Sequence, residues 1–218
     1  KAYNLLKSED VFSTLNCLKK LGIKIKFKNN FCEIIGNGLN SYNFKKNLTL
    51  NAGNSGTLAR LILALLIKSP FKIKITGDPS LSKRDFSRVI VPLKKFGVNF
   101  YPKNRYKLPF YICGTNFLSP ITYHEKKGSA QCKSCMMLAA LNTDGKTIIK
   151  AKKSRDHTEI LFKHLSIPIK IKKGASNDLI EVSGKKNFRS FNYNIPSDIS
   201  SSSFFIVLTL LSKKSSLT

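Results

Sequence analysis

Leu18-Lys19-Lys20-Leu21-Gly22-Ile23-Lys24-Ile25 returns further along the chain as Leu93-Lys94-Lys95-Phe96-Gly97-Val98-Asn99-Phe100. It returns again, more loosely, as Phe162-Lys163-His164-Leu165-Ser166-Ile167-Pro168-Ile169. Each copy reads as the last turn of a helix, a cap at Gly or Ser, and then a strand. A turn-like stretch and a further strand follow each copy: Phe31 to Ile35, Leu108 to Cys113, and Leu179 to Val182.

A second pattern falls between these copies. Small or polar residues open an apolar helix at Asn54-Ser55-Gly56-Thr57, Gly128-Ser129-Ala130-Gln131 and Asp198-Ile199-Ser200-Ser201. After the first opening, Leu58, Leu61, Ile62, Leu65 and Leu66 recur at helical spacing. Ala59, Leu63 and Ala64 fill the other faces, so burial nearly all round is expected. Met136 to Leu141 and Phe204 to Leu211 are similarly apolar. The repeating unit is strand, buried helix, strand, amphipathic helix, strand, strand. Copies spanning residues 45 to 113 and 116 to 182 are complete, and the first copy lacks its opening. Three such units packed around their buried helices make one α/β domain. Asn192 to Pro196 reads as a crossing segment. Residues 1–193 are therefore expected to form one domain, with the crossover and first helix of a second in residues 194–218.

The 218 residues are 42% hydrophobic, which suits a folded chain and not a disordered one. The longest apolar runs, Leu61 to Ile67 and Phe204 to Leu211, are far below the roughly 20 residues that span a bilayer. The start has neither a signal-peptide pattern nor an initiating Met, and the chain reads as an internal piece of a longer one. Net charge is +26. That charge admits a nucleic-acid-binding module. Against it, the lysines are spread through strands, loops and helix faces instead of forming a stripe with interleaved aromatics. Abundant Lys, Asn, Ile and Phe fit an AT-rich coding bias. Five cysteines, an odd count without a secretion signal, fit a reducing compartment. Cys132 and Cys135 lie in an apolar helix pattern, so packed thiols are expected in preference to redox or metal chemistry. His124, His157 and His164 have no metal-ligand spacing, and no metal or cofactor is expected.

Helix openings present unpaired N–H groups and the positive end of the helix dipole, which suit phosphate and carboxylate. For any one opening plain N-capping is the better-supported reading, since every helix start needs a cap. Arginine is scarce in this Lys-rich chain. Arg84 and Arg88 lie in Ser82-Lys83-Arg84-Asp85-Phe86-Ser87-Arg88, and Arg155 lies in Ser154-Arg155-Asp156-His157-Thr158-Glu159. Each offers the bidentate donors that recognise phosphate, or alternatively a surface ion pair with the neighbouring Asp. Arg60 falls inside a buried helix and needs a partner there.

On these residues the chain resembles the 5-enolpyruvylshikimate-3-phosphate synthases. Asn54 to Arg60 is similar to that family's Asn-x-Gly-Thr-x-x-Arg motif. Gly77-Asp78 with Arg84 resembles its Gly-Asp/Glu…Arg loop, and Ser129 to Ser134 its Ser-Ala-Gln-x-Lys-Ser segment. Ser154 to Glu159, and Ile195 to Ser201 at the entry to a second domain, match further family runs in the same order. The resemblance implies an inside-out α/β barrel of two domains with three repeats each. It implies transfer of the enolpyruvyl group from phosphoenolpyruvate to the 5-hydroxyl of shikimate 3-phosphate, in a monomeric cytoplasmic enzyme of the shikimate pathway. By the same resemblance, Ser129, Gln131, Ser154 and Arg155 hold shikimate 3-phosphate. Asn54, Gly56, Thr57, Arg84 and again Gln131 line the phosphoenolpyruvate side, and Gly56 borders the pocket for the inhibitor glyphosate. The family's early Lys-Ser-x-x-x-Arg segment and its proton-transfer residues have no counterpart in this chain. No catalytic residue and no turnover are therefore expected from it alone, and a nonfunctional remnant is a further possibility. The related UDP-N-acetylglucosamine enolpyruvyl transferases share fold and chemistry. Their Cys-bearing loop has no convincing match between Thr76 and Arg88.

Overall fold

The computed structural model describes residues 1–28, 31–39, 43–44, 46–184 and 189–217. Residue 45, at the expected start of the second copy, and Thr218 lie outside the described residues. The first unit runs β1 (Ala2–Tyr3), α1 (Glu9–Lys20), β2 (Lys24–Lys28) and β3 (Phe31–Ile35). The second runs β4 (Thr49–Asn51), α2 (Gly56–Leu65), β5 (Lys72–Thr76), α3 (Pro79–Lys83), α4 (Ser87–Lys95), β6 (Asn99–Tyr101) and β7 (Phe110–Cys113). The third runs β8 (Thr122–Glu125), α5 (Ala130–Ala140), β9 (Lys146–Lys152), α6 (His157–His164), β10 (Ile169–Lys172) and β11 (Asn177–Ser183). β12 (Tyr193–Asn194) and α7 (Ile199–Leu211) complete the described chain.

Each unit forms its own four-stranded sheet with the same plan. The orders are β4-β5-β7-β6 and β8-β9-β11-β10, with the first pair parallel and the others antiparallel. The sheet of the first unit is completed from the far end of the chain. β12 pairs parallel with β1, Ala2 against Tyr193 and Tyr3 against Asn194, giving the order β12-β1-β3-β2. The strand absent from the first copy in sequence is thus supplied by residues about 190 positions later. Asn4 Nδ2 reinforces the join by donating to the Ile195 carbonyl at 2.8 Å.

The repeated helix ends have the expected conformation. Gly22 and Gly97 follow α1 and α4 with φ of +89° and +107°, and Ser166 takes the same place after α6 with φ of +55°. A serine in the left-handed region carries a Cβ penalty that glycine lacks. Ser166→Gly is expected to raise stability by roughly 0.5–1 kcal/mol, read as a higher midpoint in urea unfolding. An unchanged or lower midpoint would show that the serine side chain repays its strain elsewhere.

The core gathers on α2 and α5, which pack against each other between the second and third sheets. Gly56, Leu58, Ala59, Ile62, Leu63 and Ala64 of α2 are buried, as are eight residues of α5. α4 adds Val89, Ile90 and Leu93 from one face. Each fully buried Leu, Ile or Phe here contributes roughly 1.5–3 kcal/mol relative to an exposed one. Helices lie inside and sheets outside, which is the inside-out α/β arrangement. The third apolar helix, α7, stands apart from the other two: it buries no residue, and Phe204, Leu210 and Leu211 are about four-fifths exposed.

Candidate substrate-binding site

Every predicted site residue follows the C-terminal end of a strand in a parallel pair, Arg84 after the short α3. β4 leads to Asn54, Gly56 and Thr57, β5 to Arg84, β8 to Ser129 and Gln131, and β9 to Ser154 and Arg155. Crevices outside the carboxyl ends of parallel strands are where α/β folds place ligands.

The α2 and α5 openings are tied to each other. Gln131 Nε2 donates to Thr57 Oγ1 at 2.7 Å, and Gln131 Oε1 accepts from Arg60 Nη1 at 3.0 Å. The same Arg60 nitrogen donates to the Gly56 carbonyl at 2.9 Å, and the guanidinium lies 5.2 Å from the Phe86 ring centroid. The partner that Arg60 needed inside a buried helix is therefore the neighbouring unit's glutamine together with an aromatic face. Burial lowers the Arg60 pKa, and the charges of Arg84 and Arg88 lower it further.

Gly56 leaves room for these guanidinium groups. A Cβ built there would lie 2.8 Å from Arg60 Nη1 and 3.0 Å from Arg84 Nη1. Ser55, 2% exposed, caps α2 by accepting from Leu58 N–H at 3.2 Å, so Asn54 is not the cap. Asn54 Nδ2 instead donates to Asp78 at 2.5 Å. Asp78 accepts from Leu81 N–H at 2.6 Å and so caps α3, and these two bonds hold its carboxyl below the usual range. Asn54 thereby anchors the loop that carries Arg84.

In the third unit Ser129 caps α5, accepting from Cys132 N–H at 3.3 Å. Its own N–H donates to Glu125 Oε2 at 2.9 Å. Glu125 is 2% exposed and its other oxygen accepts from Lys127 N–H at 3.2 Å and Arg88 Nη2 at 2.8 Å. Burial pushes the Glu125 pKa up, but the bonds from Ser129, Arg88 and Lys127 outweigh it, and the net shift is downward. Gly128, with φ of +71°, lets this loop approach the chain after β9: a Cβ there would sit 3.2 Å from the Lys153 carbonyl. The Ser129 and Ser154 segments are neighbours for that reason.

Ser154 Oγ is buried and has no hydrogen-bond partner among the described residues. Arg155 is exposed, and among the described residues neither it nor Arg84 forms an ion pair. The adjacent acids are engaged elsewhere: Asp156 with Lys173 at 3.6 Å, Asp85 with Ser87 N–H at 2.7 Å. The alternative of a surface pair with the neighbouring Asp is not what forms. Arg88, by contrast, is taken by Glu125.

Cys132 and Cys135 are buried, and burial pushes the Cys135 thiol up, as packed thiols require. Among the described residues no group of His, Cys, Asp or Glu could hold a metal ion, and no helix is long and apolar enough to cross a membrane. Lys133 and Glu159 fall within matched motifs that gave them no role, and Glu125 lies outside every motif; all three are structural supports of these loops.

The family model for EPSP synthase (3-phosphoshikimate 1-carboxyvinyltransferase) matches residues 1–217. A 3-phosphoshikimate 1-carboxyvinyltransferase of Petrotoga mobilis is 42% identical over all of this chain and 50% of its own length. That of Streptococcus mutans is 38% identical, with the same coverage. A solved structure of EPSP synthase from Acinetobacter baumannii superposes with a TM-score of 0.83 at 32% identity, over 95% of this chain and 46% of that one. The chain spans about half the length of the curated relatives it matches, and it belongs to the EPSP synthase family.

Proposed function

We propose that this chain carries the shikimate 3-phosphate-binding half of an enzyme that transfers the enolpyruvyl group from phosphoenolpyruvate to the 5-hydroxyl of shikimate 3-phosphate. The observation that carries this reading is the joined pair of helix openings. Two N-termini linked through Thr57, Gln131 and Arg60 are flanked by Arg84 and Arg155, which no carboxylate among the described residues neutralises. Unpaired arginines beside helix N-termini suit a phosphate on one side and a second phosphorylated acid on the other. Ser129, Gln131, Ser154 and Arg155 hold the shikimate phosphate and ring hydroxyls. The unpartnered Ser154 hydroxyl supports that assignment, since a buried polar atom calls for a partner. Asn54, Gly56, Thr57 and Arg84 form the phosphoenolpyruvate side, with Asn54 acting through Asp78.

These residues bind and orient: they hold two anions at a fixed separation and so lower the entropic cost of their meeting. A group positioned to move a proton at the 5-hydroxyl is not among them, so turnover calls for residues from the other half of such a protein. Residues 194–218 begin that half, the assembled enzyme is a monomer, and its compartment is the cytoplasm. The scattered lysines bind nucleic acid only weakly and with a steep salt dependence. Calorimetric titration tests the reading. Shikimate 3-phosphate should bind one per chain and at least about tenfold more tightly than shikimate, which lacks the phosphate. Equal affinities would overturn it, as would phosphate release from phosphoenolpyruvate by this chain alone.

Gly56→Ala is expected to leave the thermal midpoint within a few degrees, because the two guanidinium ends it meets are flexible. It should weaken phosphoenolpyruvate binding in the assembled enzyme by about tenfold, by moving Arg60 and Arg84 outward. Unaltered phosphoenolpyruvate affinity would remove Gly56 from the pocket wall.

A further inference from the structure

The N-cap position of α6, Asp156, makes no side-chain capping bond, unlike the Ser caps of α2 and α5. The segment before it is held from beneath. Lys133 of α5 is 3% exposed, and its ammonium lies 2.5 Å from Glu159 Oε1 and donates to the Arg155 carbonyl at 3.0 Å. Beside it, Ser134 Oγ and Thr158 Oγ1 share a hydrogen bond of 2.6 Å. Three contacts from two side chains of one helix thus grip residues 155 to 159. The same helix carries Ser129 and Gln131 at its opening.

A buried ion pair is weak evidence for stability, since well-packed apolar residues replace such pairs at little cost. The carbonyl bond is different. It fixes the backbone of Arg155 relative to Ser129, and a methionine at position 133 has no donor to replace it. We infer that Lys133 is a positioning residue that holds Ser154 and Arg155 in register with Ser129 and Gln131 for a phosphorylated ligand. The ligand part of this inference rests on the shikimate 3-phosphate reading above.

The test compares Lys133→Met/Glu159→Leu with Glu159→Gln in the chain. The double variant removes both charges together and leaves neither buried alone. Its thermal midpoint should stay within a few degrees of the parent. Amide hydrogen exchange of residues 154 to 159 should quicken by about tenfold while α2 keeps its protection, and the shikimate 3-phosphate dissociation constant should rise by about tenfold. Glu159→Gln leaves the buried ammonium without its counter-charge and lowers the thermal midpoint, but it keeps the ammonium on the Arg155 carbonyl and should change neither exchange nor affinity by more than about threefold. A folded double variant with parental exchange and affinity would overturn the inference. So would a Glu159→Gln variant whose exchange and affinity change about tenfold from the parent, a comparison that stands even if the double variant fails to fold. If the parent does not bind shikimate 3-phosphate, the functional reading and the ligand part fall, while the exchange rates still decide whether Lys133 places the segment.

Discussion

Glu125→Ala is expected to destabilise the chain by about 3 kcal/mol, lowering its thermal midpoint by roughly 6–12 °C. The carboxylate accepts from Ser129 N–H, Lys127 N–H and Arg88, and it is almost fully buried. A hydrogen bond to a charged group is worth about 1.5–3 kcal/mol, and bonds sharing one acceptor are not additive. Arg88 keeps a side chain 40% exposed and can turn to solvent, which moderates the loss. Glu125→Gln retains an acceptor and should lose about half as much. The acid limb gives an independent check. The Glu125 pKa is lowered in the fold from its ordinary 4.5, so its contribution is complete above that value. It disappears as pH falls through the lowered value. Parent and Glu125→Gln should therefore differ most near neutral pH and converge in acid. A constant difference at every pH would mean that charge on Glu125 does not hold the loop.

Arg155→Ala should raise the shikimate 3-phosphate dissociation constant by about 10- to 100-fold, with the thermal midpoint changed by less than a few degrees. A charge-assisted contact to phosphate is worth about 1.5–3 kcal/mol, and each 1.4 kcal/mol is tenfold. Stability is spared because the Arg155 side chain is exposed and its carbonyl, not its guanidinium, takes the bond from Lys133. Arg155→Lys should recover only part of the affinity, since an ammonium cannot form the paired donors of a guanidinium. Unchanged affinity in Arg155→Ala, with binding intact in the parent, would place the phosphate elsewhere.

Local chemistry made much of the fold legible. Gly22, Gly97 and Ser166 end helices by a rule confined to a few residues, and they marked the three units. The apolar periodicity of Leu58 to Leu66 likewise foretold a helix buried on most faces. Pairing between residues some 190 positions apart was not legible, because β1 and β12 are two residues each and carry no alternation to read. The apolar pattern of α7 announces a need for cover and not what supplies it. Within the site, the motifs named Ser129, Gln131, Ser154 and Arg155, which fold as the opening of α5 and the segment between β9 and α6. The contacts that hold them were hidden. Lys133 was visible as the Lys of the Ser129 to Ser134 motif, but its partner was not, although a charge inside the apolar run Cys132 to Leu141 calls for a buried one. Glu125 sits at a strand end, where nothing in the sequence ties it to Arg88.

The most direct measurement is amide chemical-shift mapping of the chain titrated with shikimate 3-phosphate, with inorganic phosphate as the reference ligand. One site at the joined helix openings predicts that the largest saturable changes fall on Ser129 to Gln131 and Ser154 to Arg155, and that in Arg155→Ala they need about 10- to 100-fold more ligand. Small changes scattered over the lysine-bearing strands, equal for both ligands and unaffected by Arg155→Ala, would mean that the openings only cap their helices.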